Sequence, residues 1–91
     1  MNHKNIETME IIKLTENELE VLQAIGENSK FYNEENQFML DELKLSKSSA
    51  VIRGTVSSLQ TKGLIEMYGN GYYFDGEITK TGLLILDIKQ S

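Results

Sequence analysis

A chain of 91 residues, 40% hydrophobic and 25% charged, is expected to form one small domain around a modest core. It has no cysteine, which excludes a disulfide framework and a thiolate metal site, and its single histidine, His3, gives no cluster of imidazoles. Net charge is −5, yet residues 43–65 contain no carboxylate and carry Lys44, Lys47, Arg53 and Lys62, a local +4 that leaves −9 on the remainder.

Residues 1–13 read as an N-terminal arm, with Ile6, Met9 and Ile12 either on one face of a short helix or in a loose segment. No apolar run approaches the ~18 residues of a membrane span, and the start lacks the apolar stretch of a secretory signal. The expectation is a soluble cytoplasmic protein with no membrane partner. Thr15-Glu16-Asn17-Glu18 has the form of a capping box, with Leu14 and Leu19 at the positions of a hydrophobic staple. Leu19, Leu22 and Ile25 then recur at helical spacing, predicting a first helix at 16–25 that stops at Gly26.

Residues 27–36 are polar and read as a loop. Met39, Leu40 and Leu43 behind an Asn36 cap predict a second helix at 37–43. Lys44-Leu45-Ser46 is a tight turn, Ser46 the N-cap of a third helix over 46–62, and Ile52, Val56 and Leu59 its inward stripe. Lys62 and Gly63 close that helix.

Leu64 to Tyr68 and Tyr72 to Phe74 are strand-like, and Asn70-Gly71 between them suits a type I′ hairpin turn. Asp75-Gly76 is expected to kink or bulge the returning strand before Ile78. Thr79 or Thr81 caps a last helix at 80–90. The expected fold is therefore mainly α with a small β-hairpin: a winged helix-turn-helix over 14–91, with a three-helix core, a two-stranded wing and a C-terminal helix.

Ser46-Lys47-Ser48-Ser49, Val56-x-x-Leu59-x-x-Lys62-Gly63-Leu64-Ile65 and Ile78-Thr79-Lys80-Thr81-Gly82 occur in that order. Together they resemble winged-helix transcriptional regulators of the multiple-antibiotic-resistance-regulator (MarR) type, over about residues 14–86. The resemblance implies a DNA-reading third helix, a wing, and dimerisation through terminal helices. This chain departs from the pattern at Gly54 within the helix, at Lys44 where a turn glycine is usual, and in a wing poor in cations.

A helix fits the major groove, where each base pair presents a distinct set of donors and acceptors. The candidate DNA contacts are Lys44, Ser46, Lys47, Ser48, Ser49, Arg53 and Thr55, with Asn70 at the wing tip. Arg53, the only arginine, suits a bidentate guanine contact or a phosphate, and Ser46 and Ser48 suit phosphate oxygens near the helix amides. Leu83 to Leu86 form an unbroken apolar run, more than a solvent-facing helix needs, which predicts a homodimer through the last helix.

No nucleophile–base set, phosphate-cradling loop or metal-ligand spacing is present, so neither enzyme activity, a cofactor nor a metal is expected. The expected function is a DNA-binding regulator acting on duplex DNA. The alternative is a winged helix used for protein–protein interaction, through its acidic body and aromatic hairpin.

Overall fold

The computed structural model describes residues 12–30, 36–68 and 75–90, the side chains of 89 and 90 aside. Helix α1 (Glu16–Ser29) begins at the capping box: the Thr15 hydroxyl accepts from the Glu18 amide at 3.1 Å, and the Glu18 carboxylate accepts from the Thr15 amide at 2.8 Å. The helix does not stop at Gly26 but runs on to Ser29. Gly26 lies in the packed face, where an added Cβ would come within 2.8 Å of Leu86. Its smallness serves close packing rather than helix termination.

The second helix expected at 37–43 is replaced by strand β1 (Gln37–Phe38) and a single 3-10 turn (Leu40–Glu42). Tertiary pairing overrides the local pattern here. Asn36, at φ 73°, turns the chain into the strand, and its carbonyl accepts from the Ile78 amide at 2.7 Å. Phe38 is fully buried and pairs with Gly76 of the sheet. The short turn that remains is capped from a distance, its Leu40 amide donating to the Asp75 carboxylate at 2.8 Å. Asn28 ties it to α1 by accepting from the Met39 amide at 2.8 Å and donating to Glu42 at 3.2 Å.

Helix α2 (Ser49–Thr61) starts later than expected. Its N-cap is Ser48, which accepts from the Val51 amide at 3.2 Å; Ser46 lies upstream, outside the helix. Val56 and Leu59 are buried and Ile52 half-buried, as the stripe predicts. Gly63 follows the C-cap Lys62 in the left-handed region at φ 76°, a conformation that a side chain would strain.

Strands β2 (Ile65–Met67) and β3 (Gly76–Ile78) join β1 in an antiparallel sheet of order β1-β3-β2, so the expected two-stranded wing is rooted in three strands. Ile65 faces Ile78, Glu66 faces Glu77 and Met67 faces Gly76, while Gln37 and Phe38 face Glu77 and Gly76 on the other side. Gly76 is thus a regular partner of both neighbours rather than a bulge. An added Cβ would lie 2.6 Å from the Glu66 carbonyl and 2.7 Å from the Phe38 ring, so glycine makes room for that ring. The arm at 1–11, the Asn70-Gly71 turn and the strand expected at 72–74 lie outside the described residues.

Helix α3 (Lys80–Gln90) is capped by Thr79, not Thr81. The Thr79 hydroxyl accepts from the Gly82 amide at 3.0 Å and donates to the Gly63 carbonyl at 2.7 Å, while its amide donates to the Leu64 carbonyl at 3.0 Å. Val21, Leu22, Ile25, Phe38, Val56, Leu59, Leu64, Ile65, Ile78, Ile85 and Leu86 form one core. Each fully buried Leu, Ile or Phe contributes about 1.5–3 kcal/mol. The order helix, strand, turn, helix, hairpin, helix, with β3 central, is compatible with a winged-helix-like fold. Among the described residues, no helix is long and apolar enough to cross a membrane.

Candidate nucleic-acid interface

The packed face of α2 fixes which of its side chains meet solvent. With Ile52, Val56 and Leu59 turned inward, Ser49, Ala50, Val51, Arg53, Gly54, Ser57, Gln60 and Thr61 are exposed. These are short or flexible side chains, and Arg53 is the one charge among them. Among the described residues nothing stands within 4 Å of a Cβ built on Gly54, so that glycine answers no packing need among them.

The sequence-predicted residues fall into four groups. Ser46, Ser48, Ser49 and Arg53 are exposed around the start of α2, and Lys44 is exposed on the approach to it. Among the described residues, neither Lys44 nor Arg53 has an ion pair. Thr55 leaves the outward set: it is buried, and its hydroxyl donates to the Val51 carbonyl at 2.7 Å. Asn70 lies outside the described residues.

Lys47 is the fourth case. Its side chain is only 18% exposed and folds back on α1, with its ammonium donating to Asn17 at 2.9 Å and lying 3.4 Å from the Glu20 carboxylate. Lys62 is likewise engaged. Its ammonium donates to the Glu18 carboxylate and to the Lys13 carbonyl, both at 2.7 Å. Of the four cations in the acid-free stretch, two are therefore neutralised by carboxylates of α1.

Glu18 is the centre of that second contact. Its carboxylate also accepts from the Thr15 amide and from the Ser58 hydroxyl. Burial alone would raise its pKa, but the Lys62 ammonium, the Ser58 hydroxyl and the Thr15 amide outweigh it and hold the carboxyl at about 2. The capping motif was visible in the sequence. The long-range partners were not, since Lys62 is 44 residues further on.

Beside α2, the flank nearest the sheet opens on a hollow with Leu40, Val56 and Met67 at its base and Arg53 and Gln60 among its polar lining. The outer face of the sheet has the opposite electrical character. Glu66 and Glu77 stand directly opposite each other, and the Tyr68 hydroxyl donates to Glu77. That hydrogen bond, with burial next, raises the Tyr68 phenol above its usual pKa.

No family model and no curated protein matches the sequence. Among solved structures, 92% of this chain superposes on a Chaetomium thermophilum Rio2 kinase, crystallised as an ADP/Mg2+–phosphoaspartate complex, with a TM-score of 0.69 and 20% identity. The match spans 24% of the kinase chain. At that identity the likeness is one of fold.

Proposed function

We propose that this chain is a winged helix-turn-helix DNA-binding module, a cytoplasmic regulator resembling the MarR type, which places α2 in the major groove of duplex DNA. The observation that carries this reading is the solvent face of α2. Short polar side chains, Ala50, Val51 and Arg53 lie there, on a helix whose opposite face is locked into the core and whose flanking segment has no carboxylate. Arg53 is the base-reading or phosphate-clamping group, Ser46, Ser48 and Ser49 are phosphate contacts, and Lys44 adds a cation at the edge.

Homodimerisation through α3 is part of the proposal. Leu83 and Leu84 are 38% and 47% exposed, although both are large and apolar. Two copies related by a twofold axis would present two α2 helices to half-sites about one helical turn apart.

Selection from a random duplex pool across a salt series tests the reading. Enrichment of a near-palindromic site, with affinity falling steeply as salt rises, is the expected result. No enrichment at low salt from folded protein overturns it. The same exposed leucines and the acidic outer face of the sheet favour a second reading, a protein-interaction module. Unimpaired partner binding by an Arg53→Glu variant that carries no DNA activity to lose would decide for it.

A further inference from the structure

Lys47, two residues ahead of α2 and one of the DNA contacts expected from the sequence, has its ammonium turned onto α1, between Asn17 at 2.9 Å and Glu20 at 3.4 Å. We infer that Asn17 and Glu20 form an internal competitor for the DNA backbone: they occupy Lys47 in the free protein and so set the affinity and salt dependence of α2. This rests on the DNA reading of α2 above and deepens it.

The physical case is one of exchange. A phosphate that recruits Lys47 must displace a carboxylate and an amide oxygen that already satisfy the ammonium, so the contact contributes less than that of an unoccupied lysine. The competition is finely balanced because the Glu20 side chain is 55% exposed, and a half-exposed ion pair is worth little. Glu20 therefore weakens the contact without abolishing it. Lys62 differs, since its partner Glu18 is buried and the pair belongs to the core scaffold. Arg53 differs in the other direction, being exposed with no ion pair among the described residues. The three cations are thus held to three different degrees, and only Lys47 can pass between protein and DNA.

The test measures binding of a fluorescent random-sequence duplex of about two helical turns across a salt series. The proteins are wild type, Glu20→Gln, Asn17→Ala, Lys47→Met and the Glu20→Gln/Lys47→Met double variant. Glu16→Gln serves as the charge control, because Glu16 is an exposed α1 carboxylate with no recorded ion pair among the described residues. The expected result is about two- to five-fold tighter binding by Glu20→Gln than by Glu16→Gln. Its salt slope should steepen by up to about 0.9, one further phosphate contact. Asn17→Ala should move the same way, and the Glu20→Gln gain should vanish in the Lys47→Met background.

Equal binding by Glu20→Gln and Glu16→Gln, or a gain that persists without Lys47, overturns the inference and leaves the DNA reading standing. Absence of binding by every protein overturns the DNA reading and the inference together.

Discussion

The buried carboxylate of Glu18 and the ammonium of Lys62 meet at 2.7 Å, joining the first turn of α1 to the C-cap of α2. The same carboxylate satisfies the helix N-terminus through the Thr15 amide. One side chain therefore caps its own helix and anchors another.

Stability should depend on pH through this group. The Glu18 carboxyl sits at about 2 in the folded chain against an ordinary 4.5, so the folded state favours the ionised form. Its contribution is complete above about pH 4.5 and is lost as pH falls towards 2. The difference corresponds to about 3 kcal/mol at most. Urea unfolding of wild type and Glu18→Gln from pH 7 to pH 2 checks this: the gap between the two should close on acidification.

Gly54→Ala should stabilise the fold by about 1 kcal/mol, because the new methyl group meets nothing within 4 Å among the described residues and the helix loses its most flexible interior residue. For a domain of this size, that is a rise in Tm of roughly 4–8 °C. If α2 lies against DNA, the same methyl group should weaken duplex binding. A variant that melts higher and binds less tightly would separate the two effects in one protein.

Arg53→Glu should leave thermal unfolding within about 0.5 kcal/mol of wild type, since the side chain is exposed and has no ion pair among the described residues. Duplex binding should fall at least tenfold, measured by anisotropy at low salt. Unchanged binding would remove Arg53 from the interface.

Leu84→Asp should convert a dimer to a monomer in sedimentation equilibrium, at little cost to folding, given that Leu84 is 47% exposed. A wild-type chain that sediments as a monomer at high concentration would remove the dimer from the proposal.

Features set by near neighbours in the sequence were legible in it. The Thr15–Glu18 box spans three residues, the α2 stripe follows helical spacing, and Gly63 stands where a helix end needs a left-handed residue. The rest depends on distant partners. Phe38 reads as part of a helix until Gly76, far along the chain, opens a space for its ring. Ser46 reads as the cap of α2, but the Val51 amide is taken by Ser48, two residues further on. Thr55 sits at the edge of the apolar stripe, where its bond to the Val51 carbonyl lets a polar residue turn inward. Lys47 was legible as a cation near the helix start, but its capture by α1 was not, because the captors lie about 30 residues earlier.

Thr79 gives the domain its cooperativity at one end. Through one hydroxyl and one amide it fastens the Gly63–Leu64 junction to the first turn of α3, so neither helix terminus can fray without releasing the other. In native-state hydrogen exchange, the amides of Thr79 and Gly82 should therefore open together, and the end of α2 should lose its hold in the same event. What looks like a loop between strand and helix is a clasp that couples the two helix ends.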